Sequence, residues 1–348
     1  MISFFKPTLK RKDMDSVLQT MVDEQIGPGE KGREFAGAFC EFTACKFGVP
    51  YRVYPDAIEA ALKLLTPEST EENKKVIVQI SPLAPLIYKK VIAKLGYKMV
   101  LSDVNPETGL LDPESVQKIQ PDILVLYENS GTLPVFINQE NIVEKYEFGN
   151  VRILEDVSQS IGSVCGEYKA GSWGNMVICS CEDNDLVSCA GGAILAANEG
   201  FSQLLRTHRP SVYKRMTDLN SALGYMQLMN LNENIERRRE IYKLYQSGLL
   251  RTDNKHFGVN FTDFLNCAGD YPVLIKSRVE DVVKFANRKD IPVKETFASS
   301  ICSEYEGRII DELPYSAEFY YNCLSFPLYP FLRKDDIDLI SKVVAHLP

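Results

Sequence analysis

The segment NVRILEDVSQSIGS, residues 150–163, begins as a short apolar run and breaks at Glu155-Asp156 into a polar turn. Three runs of the same kind precede it: KKVIVQI (74–80), KMVLSDV (98–104) and PDILVLYE (121–128). Between them lie the helical patterns PLIYKKVIAKLG, DPESVQKI and NQENIVEKYE, with DAIEAALKLL upstream. Short β-branched strands separated by amphipathic helices predict a mostly parallel sheet covered on both faces, an α/β architecture. Further upstream, Asp13–Asp23 places Met14, Leu18 and Met21 on one helix face, Gly27-Pro28-Gly29 turns the chain, and EFAGAFCEFTACKFG repeats phenylalanine at helical intervals. Downstream, LNSALGYMQLMNLNENIERRREIYKLYQSGLL (219–250) holds helical spacing longer than an ordinary globular helix and is expected to join two domains. YPVLIKS, VEDVVKFANRKDI and DDIDLISKVVAHL then mix strand and helix patterns, the mark of a small α+β domain. The expected division is a large domain over 1–235 and a small one over 236–348.

Bulk composition fits this plan. A chain of 348 residues with 45% hydrophobic side chains can bury a large core and is long for one compact unit. Its net charge of −8, with no cluster of Lys or Arg, argues against a nucleic-acid or anionic-membrane surface. The nine cysteines show no C-x-x-C spacing, so neither a disulfide framework nor a zinc ribbon is indicated. Reduced thiols in the cytoplasm are the expectation. The start, MISFFKPTLKRKD, lacks the apolar stretch of a signal peptide, and no segment approaches the roughly 20 apolar residues of a membrane span.

In an open parallel sheet, chemistry gathers at the carboxyl ends of the strands. The strand within 150–157 ends at Asp156, with Gln159 three residues on. A carboxylate there suits a cationic ring nitrogen and an amide suits a ring substituent; equally, Asp156 could cap the following turn. The next strand opens VICSCEDNDLVSCAGG (177–192), which has the outline of a cofactor loop, yet no lysine occurs between Lys169 and Lys214.

Several blocks in order resemble the DegT/DnrJ/EryC1/StrS group of sugar aminotransferases, pyridoxal-phosphate enzymes of fold type I. They are IGPGEKGREFAGAFCEF, SDVNPETGLLDPESV, ILEDVSQSIGS, YKAGSWGNMVICS, KRMTDLNSALGYMQL, IERRREIYKLY and LSFPLYPFL. The resemblance implies that fold over nearly the whole chain, a dimer with its active site at the interface, and transfer of an amino group to a nucleotide-linked keto sugar. It makes Asp156 the partner of the pyridine nitrogen, Gln159 the ring-contacting glutamine and Ser180 the phosphate serine.

Other positions depart from the pattern. The lysine that would hold the cofactor as an imine falls on Asp185 counted from Ser180, or on Asn184 counted back from Gly191-Gly192; neither can form an imine. Where the family opens a helix with Ser-Gly-Thr on the phosphate, this chain has Pro55-Asp56-Ala57, which brings negative charge towards a dianion. The asparagine sent across the dimer is Tyr213, the histidine-bearing loop carries Glu128, and SPLAPLI (81–87) offers no aromatic ring for stacking. Some relatives use histidine at the lysine position with unlinked cofactor, but neither candidate position is histidine here.

These departures imply a retained fold without transamination and without tight cofactor binding. The expected ligand or partner is a nucleotide sugar, a second copy of the chain, or an active paralogue in a heterodimer, within surface-polysaccharide biosynthesis. One alternative is an aminotransferase or dehydratase holding pyridoxal or pyridoxamine phosphate non-covalently through Asp156, Gln159 and Ser180. Another is a new reaction, or a divalent cation, at a carboxylate cluster of Asp56, Glu128, Asp156 and Asp185. Cys165, Cys179, Cys181 and Cys189 are expected to fill core rather than bind metal. His208, His256 and His346 are too scattered to suggest a triad, and IERRRE is expected to form a solvated face or an intersubunit salt-bridge zone.

Overall fold

The computed structural model describes residues 2–68, 75–137, 143–256, 264–305, 307 and 309–348. Its centre is a seven-stranded sheet built from β1 (Phe47–Tyr51), β2 (Ile77–Ile80), β3 (Lys98–Leu101), β4 (Ile123–Tyr127), β5 (Arg152–Asp156), β6 (Met176–Ser180) and β7 (Ala193–Ala197). The spatial order is β1-β7-β6-β5-β4-β2-β3, and only β7 runs antiparallel to its neighbours. Both faces are covered. Ile80, Val125, Leu154, Ile178 and Leu195 face one core with the helices Tyr54–Leu65 and Ile87–Lys94. Val177, Cys179, Ile194 and Ala196 face a second core with Phe35 and Phe39. Burial on both sides explains the continuous apolar reading of these strands.

The long helical stretch is two helices, Asp218–Met229 and Leu231–Leu249, divided at Asn230. Ile235 packs in the second sheet core, whereas Ile241, Tyr245 and Leu249 pack in a separate C-terminal core with Tyr271, Val273, Phe326 and Ile340. The helix Leu231–Leu249 therefore spans both cores. The C-terminal core is built on an antiparallel sheet of Tyr271–Leu274, Cys323–Phe326 and Lys294–Glu295.

Two sequence expectations are corrected. The helix expected over NQENIVEKYE (138–147) is not formed in its described part: Val143–Lys145 is a strand paired antiparallel with Val135–Ile137, and 138–142 lie outside the described residues. A cross-strand partner overrode a helical spacing too short to hold alone. In IERRRE, expected as a solvated face or an intersubunit salt-bridge zone, Arg237 is solvated and pairs with Glu240, while Arg239 pairs with Glu236 and is mostly covered, donating to the Asn266 and Leu265 carbonyls. Arg238 instead points inwards, 3% exposed, and donates to the carbonyls of Ala268, Gly269 and Leu328. Burial pulls its pKa down to about 10. One helix face thus holds the C-terminal sheet to the loop before it.

Every cysteine is buried, and Cys165, Cys179, Cys181 and Cys189 pack in the second sheet core, as expected of small apolar thiols. No helix among the described residues is long and apolar enough to cross a membrane.

Candidate active site

The parallel register brings the carboxyl ends of three strands together. Tyr127 of β4 and Ile178 of β6 stand opposite Asp156 of β5, so Glu128, Asp156 and Ser180 belong to one end of the sheet. Asp156 is fully buried and its carboxylate is fully engaged by the chain itself. The Ser158 N–H and Oγ donate to Oδ1 at 3.0 and 2.5 Å. Tyr88 donates to Oδ2 at 2.7 Å, and Tyr54 donates to the same oxygen. The two phenols also touch each other, 3.1 Å between oxygens, with their rings edge to face. Burial raises the Asp156 carboxyl above the ordinary range, and the hydrogen bonds from Ser158, Tyr54 and Tyr88 pull it back.

Neither tyrosine stood out in the sequence, though signals existed. Tyr54 begins the helix Tyr54–Leu65, immediately before the Pro55-Asp56-Ala57 departure, and Tyr88 lies one residue beyond SPLAPLI. Aromatic side chains are therefore present at this strand end, but they hydrogen-bond the carboxylate. Pro55 occupies the first turn of its helix, where a missing N–H costs nothing. Ala57 is buried, and Asp56 forms a 2.9 Å ion pair with Lys214, which also approaches Glu59 at 3.8 Å. Lys214 is thereby committed to carboxylates on that helix.

The loop 181–192 closes on itself. Cys181 donates to the Gly192 carbonyl, and Cys189 and Gly191 donate to the Cys181 carbonyl. Gly192 sits at φ +101°, where a side chain would meet the Tyr51 carbonyl and the Met216 methyl at 2.6 Å. The Asp185 carboxylate accepts from the Glu182 N–H at 2.8 Å. Burial nevertheless pushes Asp185 up to about 7. The Ser180 N–H donates to Ser158 Oγ. Asn184 is exposed and lines a cleft of 650 Å³, together with Gln159, Asp270 and Lys294. Glu128 is buried beneath the site, accepting from Ser160, and its carboxyl is held well above the usual range by burial and the charge of Glu155. Glu155 itself accepts the N–H groups of Gly171, Trp173 and Gly174 at 2.6–2.8 Å. Tyr213 is 80% exposed at the surface.

The carboxylate cluster entertained from the sequence does not form. Asp56 turns to Lys214, Glu128 lies against Ser160, and no group of three or more His, Cys, Asp or Glu able to hold a metal occurs among the described residues.

The raised carboxyls set a pH dependence. Asp185, at about 7 when folded against 3.8 ordinarily, keeps a proton that the unfolded chain has released, so its contribution weakens folding as pH rises from about 4 to 7. Asp270, pushed up to about 6, acts with the same sign. The urea midpoint is expected to fall between pH 5 and pH 8, and Asp185→Asn is expected to flatten that slope.

With this geometry in hand, comparison with known proteins places the chain. It belongs to the DegT/DnrJ/EryC1/StrS aminotransferase family, whose model matches residues 7–345. It is 24% identical to a UDP-4-amino-4,6-dideoxy-N-acetyl-beta-L-altrosamine transaminase of Campylobacter jejuni, over 98% of this chain and 96% of that protein. It is 23% identical to the GDP-perosamine synthase of Caulobacter vibrioides, over 73% and 71% of the two chains. Among solved structures, the aminotransferase TlmJ from Streptoalloteichus hindustanus superposes with a TM-score of 0.83 at 18% identity, covering 99% of this chain and 98% of that one. The sugar aminotransferase CalS13 from Micromonospora echinospora gives 0.81 at 16%, covering 99% of each. The fold is that of fold type I pyridoxal-phosphate enzymes.

Proposed function

We propose that this chain is a member of its family that does not transaminate, and that it binds a nucleotide-linked sugar or an active paralogue in surface-polysaccharide assembly. The observation that carries this reading is the closure of Asp156 by Tyr54 and Tyr88. A pyridinium nitrogen needs a free carboxylate oxygen, and here both oxygens already accept hydrogen bonds from buried groups. The lysine position is Asn184 or Asp185, neither of which can form an imine, and Asp56, paired with Lys214, stands on the helix that the resemblance sets against the phosphate. These residues do not fit pyridoxal phosphate.

Of the groups that would hold an unlinked cofactor, Gln159 alone faces open space, so the reading with non-covalent pyridoxamine phosphate retains one of its three contacts. The proposed place in polysaccharide assembly draws on relatives such as a Bacillus subtilis spore coat polysaccharide biosynthesis protein, 21% identical over 98% of this chain.

Surfaces support association. Met14, Leu18, Met21 and Val22 are more than half exposed along one helix, and Tyr213 is exposed at the position that crosses to the partner in the family's dimers. A groove of 570 Å³ near Tyr213 is lined by Arg33, Arg209 and Arg215. A homodimer is proposed, with a heterodimer including an active paralogue as the other arrangement. Calorimetric titration with UDP- and GDP-linked sugars, and light scattering of the chain alone and mixed with an active paralogue, test the proposal. Binding to a sugar nucleotide or a paralogue supports it; binding to neither sinks it.

A further inference from the structure

We propose that this chain selects a second copy of itself through a charge code, in which the Glu182-Asp183 turn of each copy meets Arg209 and Arg215 of the other. This rests on the association reading above and chooses between its two arrangements, naming the copy rather than a paralogue and the contacts that make the choice. The observation behind it is a set of opposite charges left unpaired on one face. Arg33, Arg52, Arg209 and Arg215 are exposed, and none of them forms an ion pair among the described residues. Glu182 and Asp183 are exposed as well, and their carboxylates likewise have no cationic partner there. The groove beside these arginines has no carboxylate to spare: Asp218 is spent on the N–H groups of Gly29, Lys31 and Gly32. In a chain of net charge −8, this is a local inversion of sign.

Backbone contacts fix the two patches side by side. The Arg52 N–H donates to the Lys214 carbonyl at 2.8 Å, and Tyr51 pairs with Arg215 as an antiparallel bridge. Gly192, at the end of the acidic loop, lies so close to Tyr51 that an added Cβ would stand 2.6 Å from its carbonyl oxygen. The Asn220 amide holds the Cys189 carbonyl of the same loop at 2.6 Å. The loop 181–192 is therefore seated on the segment that carries Arg215. Val212 and Tyr213, 46% and 80% exposed, stand at the rim of the 570 Å³ groove, which is lined by Arg209 before them in the chain and Arg215 after them. One face thus sets acid beside base and an apolar knob beside a groove. A twofold pairing requires this arrangement, because each patch meets its complement on the other copy.

The lining of the groove favours a protein over a small anion. Phe47, Val49 and Pro50 form its floor with the small side chains of the helix Glu30–Thr43, so the arginines frame an apolar centre, as in a protein interface. A second copy supplies both an apolar knob and two carboxylates. The same charges reject other partners: one whose corresponding turn is cationic would set like charges against Arg209 and Arg215, which is costly.

Light scattering over a dilution series of the intact chain tests the code. The unaltered chain is expected to dimerise, with a dissociation constant that rises at least about fivefold between about 0.05 and 0.5 M sodium chloride as the charges are screened. Glu182→Arg with Asp183→Arg, and separately Arg209→Glu with Arg215→Glu, should each weaken self-association at least about tenfold. An equal mixture of the two double variants should recover it to within about threefold, because one contact is then native and the other is reversed on both sides. Recovery also shows that both variants fold, and the salt response needs no variant at all. A salt-independent dimer, or double variants that associate like the unaltered chain, overturns the code and leaves a homodimer standing. Weakening of both variants without recovery on mixing overturns it too. A chain that stays monomeric alone but binds an active paralogue also overturns it, and keeps the reading above in its heterodimer form.

Discussion

Borohydride reduction after incubation with pyridoxal phosphate is expected to leave no stoichiometric pyridoxyl adduct on any lysine of the cleft. An imine requires a primary amine that reaches the aldehyde while the ring is held. The loop that would carry it has Asn184 and Asp185, and Lys214 is held by Asp56 at 2.9 Å. Lys294 lines the cleft and is the amine that peptide mapping should inspect first. Scattered sub-stoichiometric labelling of surface lysines agrees with this account. One equivalent on Lys294 or Lys214, with a yellow preparation before reduction, would reinstate a working cofactor on a relocated lysine.

Replacing Asp156 with alanine is expected to lower folding stability by about 3–5 kcal/mol, because it strands buried donors from Tyr54, Tyr88 and Ser158 without an acceptor. Tyr54→Phe and Tyr88→Phe each remove one hydrogen bond to the carboxylate and are expected to cost about 1.5–3 kcal/mol. The effects of the two tyrosines should not add, since their hydroxyls also touch each other. Urea denaturation of the unaltered chain, the three single variants and the double tyrosine variant, with circular dichroism as the readout, gives these numbers. If Asp156→Ala unfolds with an unchanged midpoint, the cluster is not a structural element and the carboxylate has been kept for another purpose.

Much of the fold was legible because its strands are buried on both faces. Continuous apolar runs such as ILVLY in β4 and MVICS in β6 leave no other architecture once helical patterns separate them. The failures share a cause. Val143–Lys145 became a strand through a neighbour at Val135–Ile137, and Arg238 turned inwards towards carbonyls that only folding brings near. The site was legible where the chain itself carries the change, as at Asn184, Asp185 and Pro55-Asp56-Ala57. It was illegible where residues far apart converge: Tyr54 and Tyr88 are separated by a helix and a strand, yet share one oxygen of Asp156.

In the proposed non-transaminating chain, tyrosine hydroxyls stand at Asp156 in place of a pyridine ring. Equilibrium dialysis of the purified protein against pyridoxamine phosphate tests it without reliance on any lysine. Retention at the level of free solution, up to millimolar ligand, is the result expected; one equivalent bound per chain at micromolar concentration would contradict it.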